Sequence, residues 1–237
     1  GLMTGLSDSF QRPIDYLRIS VTDRCNLRCV YCMPEAGVAL TAHENILSYE
    51  EIYRLARAAA GLGITRIRIT GGEPLVRSGT ADLVRLLRSI AGIEDISLTT
   101  NGILLAEQAE GLKAAGLDRV NISLDTLDPE KFRRITRGQA EIDEVLAGMR
   151  AATEVGLNPV KVNVVALAGV NDDEVIDFAR KTIENDWHVR FIEHMPFYGA
   201  SGHKDGFLSS RAIKEKLWEL GKMTPYRHAA GNGPAKY

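Results

Sequence analysis

The sequence predicts an α/β fold: an incomplete (βα)6 TIM-type barrel with a C-terminal helical and irregular extension. Three observations carry that expectation. Short β-branched runs alternate with longer stretches of helical period, the pattern of βα units around a parallel sheet. The six runs are separated by connections long enough for crossover helices. Along each run apolar residues hold one face and polar residues the other, whereas a filled eight-stranded barrel would line its interior with Val, Ile and Leu.

The first strand is expected at Tyr16–Thr22, where Leu17, Ile19 and Val21 oppose Arg18, Ser20 and Thr22. A helix follows over Tyr49–Gly61, with Ser48 as its cap, Glu50 and Glu51 in its first turn and Gly61 at its stop. The second strand, Thr65–Thr70, sets Ile67 and Ile69 against Arg66, Arg68 and Thr70, and leads to a helix near Ala81–Ile90. In the third, Asp95–Thr100, Ile96 and Leu98 oppose Ser97 and Thr99; a helix over Ala106–Ala115 then stops at Gly116. The fourth, Arg119–Leu124, sets Val120, Ile122 and Leu124 against Asn121, Ser123 and the following Asp125. Its helix, Ile142–Val155, ends at Gly156. The fifth, Val160–Leu167, opposes Val162 and Val164 to Lys161 and Asn163, and a helix over Asp173–Asn185 leads to the sixth, His188–Glu193. A Gly-rich stretch, Phe197–Gly206, precedes a last helix near Ser209–Leu220 and a Gly-Pro-containing tail. The expected division is an N-terminal extension over 1–13, the partial barrel over 14–200, and the start of a truncated C-terminal region over 201–237.

If helices cover the apolar faces, the polar faces converge inside the curve of the sheet, where they meet water or a ligand. An antiparallel sheet with one solvated face produces the same alternation, but the long helical connections favour the barrel. Arg18, Arg68 and Lys161 come from three strands of that polar face. Burying them unpaired would cost several kcal/mol each, so anions should meet them. Protein carboxylates and a phosphorylated ligand both satisfy that requirement.

Composition limits the functions available. The 237 residues are 45% hydrophobic and 25% charged, enough for a sizeable core, and the net charge of -2 gives no basis for bulk nucleic-acid binding. No apolar run reaches the roughly 18 residues of a membrane span, and no secretory signal is evident, so a cytoplasmic protein is expected. Three cysteines cannot pair completely, and in that compartment a metal or cluster is favoured over a disulfide.

All three, Cys25, Cys29 and Cys32, lie in the loop after the first strand, at the end where parallel α/β sheets place their chemistry. Structural zinc wants four ligands, and the nearest His, His43, is remote in sequence. A four-iron cluster held by three cysteines leaves one iron open to a small molecule. Gly71-Gly72-Glu73-Pro74 follows the second strand. Its glycines permit close backbone approach, and its carboxylate suits an ammonium group.

The spacing Cys-x3-Cys-x2-Cys with Tyr31 before the last cysteine, together with Gly71–Pro74, resembles the radical S-adenosylmethionine enzymes. The segments "LRISVTDRCNLRCVYCMPE", "RIRITGGEPLVR", "LTTNG", "NISLDTLD", "VKVNVV" and "RFIEHMP" sharpen the resemblance to the GTP 3',8-cyclase family of molybdenum cofactor biosynthesis, from Arg12 onward. The resemblance implies that Cys25, Cys29 and Cys32 hold a [4Fe-4S] cluster whose open iron takes the amino and carboxylate groups of S-adenosyl-L-methionine. It implies S-adenosylmethionine contacts at Tyr31, Gly72, Glu73, Ser123 and Met195, and GTP contacts at Arg18, Arg68, Thr99 and Lys161. Asn101, Asn163 and Asp125 are further candidates, for which hydrogen bonding between loops is an adequate alternative.

The implied reaction is that of a lyase. Reductive cleavage of S-adenosylmethionine gives a 5'-deoxyadenosyl radical, which removes hydrogen from C3' of GTP; attack on C8 then leads to 3',8-cyclo-7,8-dihydro-GTP. An electron donor, a homodimeric partner and a downstream pterin-forming enzyme are implied as well. The family carries a second [4Fe-4S] cluster on three further cysteines beyond the barrel, and this sequence lacks them, so a truncated form is expected. A radical enzyme acting on a peptide or another nucleotide, or a non-catalytic metal-binding protein, are the alternatives.

Overall fold

Every second residue of the central strands is sealed from water: Ile67, Ile69, Ile96, Leu98, Val120, Ile122 and Val162 are all buried. They meet Leu83, Val84, Leu87, Leu105, Leu112, Val145 and Met149 in one core between sheet and helices. Truncating any of these leucines to alanine would cost about 2–5 kcal/mol. The period-two pattern therefore identifies the helix-covered face.

The computed structural model describes residues 5–32, 34, 36–193 and 208–225. Six strands, β1 (Tyr16–Ser20), β2 (Arg66–Thr70), β3 (Asp95–Thr100), β4 (Arg119–Ser123), β5 (Lys161–Ala166) and β6 (His188–Glu193), form one sheet in the order β1-β2-β3-β4-β5-β6. All five pairings are parallel. Sequential parallel strands joined through helices are the arrangement of a (βα) barrel, and among the described residues β1 and β6 are its two edge strands.

The helices are α1 (Tyr49–Gly61), α2 (Thr80–Arg88), α3 (Leu105–Ala115), α4 (Pro129–Ile135), α5 (Ile142–Glu154), α6 (Val175–Glu184) and α7 (Ser210–Leu217). Ser48 caps α1 as expected and completes a capping box with Glu51, which satisfies two otherwise orphaned amides. The last turn of α3 ends on Gly116 at φ 106, a left-handed position that favours glycine. Among the described residues, no helix is long and apolar enough to cross a membrane.

β3 and β6 have the expected bounds, whereas β1, β2, β4 and β5 are one or two residues shorter than expected, and for β1 the reason is local. β1 stops at Ser20 because the carbonyl of Thr22 turns to accept the amide of Gly72, pulling the chain out of the ladder. Helix α4 was not anticipated, although its start is well marked: Asp128 accepts the amide of Lys131 and Pro129 occupies the first turn. The stretch Phe197–Gly206 and the tail beyond Pro225 lie outside the described residues.

Candidate functional site

Strand register assembles the polar face into rungs. Arg18 pairs with Arg68, Arg68 with Ser97, and Ser97 with Arg119. The next rung runs from Thr99 through Asn121 and Lys161 to His188. Above it Ser123, Asn163 and Arg190 are aligned. Four residues along a strand separate the first of these rungs from the third, a rise of about 13 Å toward the carboxyl ends.

The lower rungs are strongly cationic. Burial lowers the pKa of Lys161 to about 8, and Arg190, Arg119 and Arg68 push it the same way against the opposing charge of Asp95. Burial also lowers the pKa of Arg68, with Arg190, Arg18 and Arg119 adding to the effect while Tyr16 opposes it. The Arg68 guanidinium lies 5.4 Å from the centre of the Tyr16 ring, and its Nε donates to Ser97 Oγ at 3.4 Å. Asp95 is bound to Arg119 at 2.5 Å. Arg190, Arg119 and Arg68 thus crowd Lys161 with like charge, and an entering anion would relieve that repulsion. Arg119, His188 and Arg190 were not singled out from sequence. Arg119 shares the face of Asn121, so the alternation of β4 already carried its signal.

The cysteine loop leaves the carboxyl end of β1. Cys25 and Cys29 are half-buried, Cys32 is exposed, and all three are free thiols. Cys25 Sγ accepts the amide of Leu27 at 3.4 Å and faces Asn101 Nδ2, which also donates to Asn26 Oδ1 at 2.7 Å. Burial pushes the Cys25 thiol up. A hydrogen bond between Cys29 and Cys32 holds the Cys29 thiol up and the Cys32 thiol down. Among the described residues, no three His, Cys, Asp or Glu side chains close on a single-ion point.

The Gly71–Pro74 turn packs directly on that loop. Gly72 donates to Thr22 O and Glu73 to Arg24 O, each at 2.7 Å. A Cβ on Gly71 would lie 2.7 Å from Thr22 O, and one on Gly72 would lie 2.3 Å from Arg24 O. The glycines therefore permit backbone to meet backbone, besides any approach to a ligand. Glu73 is 1% exposed and accepts from Leu75 N at 3.1 Å, Thr100 Oγ1 at 2.7 Å and Asn101 N at 2.6 Å. Burial raises its pKa while these donors lower it. Three of about four acceptor positions on this carboxylate are committed to the protein.

Tyr31 directs its hydroxyl to Asp125 Oδ2. Burial is the first cause that pushes the phenol up, with the Asp125 charge second. Asp125 is itself pushed up to about 6 by burial, against the donors Tyr31 and Val165 N. Hydrogen bonds from the cysteine loop and from β5 thus engage one acceptor position on each oxygen of Asp125.

Tyr31, Gly72, Glu73, Ser123 and the three cysteines gather around the carboxyl ends of β1 to β4, while Arg18, Arg68, Thr99 and Lys161 stand on the rungs below. Met195 lies outside the described residues. Two features fit a polar ligand spanning these levels: the buried Oδ1 atoms of Asn121, on the rung of Lys161, and of Asn163, on the rung of Ser123, have no protein partner. The donor set fits a cluster above them, because three unpaired thiols share one loop that a second, glycine-lined loop braces.

Residues 19–182 match the Radical SAM superfamily. A GTP 3',8-cyclase of Heliobacterium modesticaldum is 54% identical over 232 residues, covering 97% of this chain and 71% of the relative. That of Moorella thermoacetica is 54% identical over 230 residues with the same shares, and that of Thermodesulfovibrio yellowstonii 50% over 234 residues, 98% and 72%. Among solved structures, anSMEcpe with bound AdoMet has a TM-score of 0.67 at 18% identity, covering 86% of this chain and 57% of that one. Methylornithine synthase (PylB) gives 0.65 at 19%, covering 86% and 61%. Streptococcus suis SuiB bound to S-adenosylmethionine gives 0.68 at 21%, covering 87% and 46%. The chain spans less than two thirds of these solved chains, and the likeness establishes the partial-barrel fold.

Proposed function

The chain belongs to the radical S-adenosylmethionine superfamily and, within it, to the GTP 3',8-cyclase family, and from that premise we propose that it converts GTP to 3',8-cyclo-7,8-dihydro-GTP in molybdenum cofactor biosynthesis. The observation that carries this reading is the vertical order of the inner face: free thiols and a glycine turn at the rim, and below the rung of Ser123 first that of Lys161, about 7 Å down, then that of Arg18, Arg68 and Arg119, about 13 Å down. Cys25, Cys29 and Cys32 would hold a [4Fe-4S] cluster. Tyr31, Gly72, Glu73, Ser123 and Met195 would contact S-adenosylmethionine. When bound, cluster and S-adenosylmethionine supply one-electron cleavage of a sulfonium and hence a carbon-centred radical.

The chain's own residues bind and place the substrate. Arg18, Arg68 and Lys161 would take the triphosphate, with Thr99 beside them, so that remote binding energy fixes the ribose beneath the rim. Asn121, level with Lys161, and Asn163, level with Ser123, carry unsatisfied oxygens and would meet polar groups of the nucleoside. The cationic rungs favour a polyphosphate over a peptide. A second [4Fe-4S] cluster would need cysteines from outside this sequence, because all three present lie in one loop. A cytoplasmic location, an electron donor, a homodimeric partner and a downstream pterin-forming enzyme belong to the same reading, as does the division into a barrel over 14–200 with an N-terminal extension over 1–13 and a C-terminal region from 201.

Anaerobic reconstitution with iron and sulfide, followed by reductant, S-adenosylmethionine and GTP, tests it by mass spectrometry. Formation of 5'-deoxyadenosine together with cyclised nucleotide is the expected result. Deoxyadenosine that forms without any dependence on GTP, and with no nucleotide product, would favour another substrate.

A further inference from the structure

One buried carboxylate holds the turn between Cys29 and Cys32 against the sheet, and we propose that Asp125 is a positioning residue for the cofactor site, acting through Tyr31. Asp125 follows the end of β4 by two residues and is 6% exposed. Its two oxygens are committed to different segments. Oδ2 accepts the hydroxyl of Tyr31, and Oδ1 accepts the amide of Val165 in β5 at 2.8 Å. Its own carbonyl accepts Asn171 Nδ2 at 2.7 Å. Asn171, also buried, donates to Val165 O at 2.8 Å and accepts the amide of Leu167 at 2.7 Å. The anchor is therefore built into the ends of β4 and β5.

Tyr31 sits between the second and third cysteines, so the bond fixes the part of the loop that carries both. Val30 holds the same turn from its other side, donating to Ile135 O of α4 at 3.0 Å. A hydroxyl bonded to a carboxylate is a strong, charge-assisted contact, and severing it inside the protein leaves a buried polar group unsatisfied. Each oxygen holds one of these donors, and the link to the cysteine loop runs through Tyr31, so Asp125 acts on a bound cofactor through the position of that side chain. The role rests on the reading of Cys25, Cys29, Cys32 and Tyr31 as the cofactor site.

The test compares Asp125→Asn, Tyr31→Phe and the double variant by two measurements. In cluster-free protein, amide hydrogen exchange is followed over Arg28–Cys32. In reconstituted protein, S-adenosylmethionine affinity is read from its perturbation of the electron paramagnetic resonance spectrum of the reduced cluster. Each single variant is expected to speed exchange in the turn and to weaken binding by about tenfold or more, and the double variant to be no worse than the weaker single. Additive losses would overturn the proposal, since Asp125 would then touch the ligand by itself. Unchanged exchange and affinity in Asp125→Asn would overturn it too. Should Asp125→Asn not fold, Tyr31→Phe, which keeps the carboxylate and its bond to Val165, reads the same link. Wild-type protein that takes up no iron or sulfide would defeat the cofactor reading alone, and the exchange comparison would still decide whether Asp125 holds the turn.

Discussion

Gly72 and Arg24 meet backbone to backbone: a methyl group on the α-carbon of Gly72 would stand 2.3 Å from the carbonyl oxygen of Arg24, next to Cys25. The glycine turn and the cysteine loop are therefore one unit. Gly72→Ala must displace one of them, at a cost of about 1–3 kcal/mol for overpacking. The expected outcome is a lower Tm together with incomplete iron uptake on reconstitution. Full iron content at an unchanged Tm would show that the two loops are not coupled in this way.

Glu73 ties that unit to the third strand. Its buried carboxylate accepts Thr100 Oγ1 and the amides of Leu75 and Asn101. Glu73→Gln turns one acceptor into a donor that faces other donors, which should lower stability by about 1–3 kcal/mol. Thermal denaturation of the cluster-free protein measures this without any contribution from cofactor binding. A Tm equal to that of wild type would mean that the three bonds contribute little to the fold, leaving ligand contact as the reason for this side chain.

Lys161 gives opposite signs for stability and binding. Its folded pKa of about 8 lies below the usual 10.5, so between these values the unfolded chain binds more protons. The contribution of Lys161 to stability accordingly rises with pH through that window and is least favourable below pH 8. Lys161→Met should raise the Tm of the free protein at pH 7 and weaken GTP binding by at least about tenfold, because one charge-assisted phosphate contact is lost. Bound triphosphate would also raise the Lys161 pKa. Titration calorimetry at pH 8.5 in buffers of different ionisation enthalpy should then detect proton uptake, and its absence would place the phosphates elsewhere.

The alternation of Arg66-Ile67-Arg68-Ile69-Thr70 was enough to separate the core face from the ligand face of β2, since a parallel strand backed by helices has no other use for it. Register was not legible: nothing local in the sequence says that Thr99 stands level with Lys161, yet that pairing turns scattered cations into rungs. Short helix α4 escaped notice because seven residues carry too little periodicity, and only the Asp128-Pro129 start was available. The roles of Glu73 and Asp125 were hidden for a different reason. Apart from Leu75, two residues from Glu73, their side-chain partners lie 27 to 94 residues away along the chain, at distances set by the barrel.

Asp95 provides the converse of Lys161. It pairs with Arg119 and is the opposing charge that holds the Lys161 pKa up. Asp95→Asn would leave Arg119 without this partner among like charges, so the free protein should lose stability, and the Lys161 pKa should fall further below its present value. The wild-type face is partly neutralised before any anion enters, whereas the variant face is not. Triphosphate should therefore raise the Tm of Asp95→Asn by more than it raises that of wild type, narrowing the gap between them as GTP is added. Salt should narrow it too, by screening the same repulsion. If GTP instead raised both melting temperatures equally, Asp95 and the bound phosphates would not share a field, and the triphosphate would have to lie above the rung of Lys161.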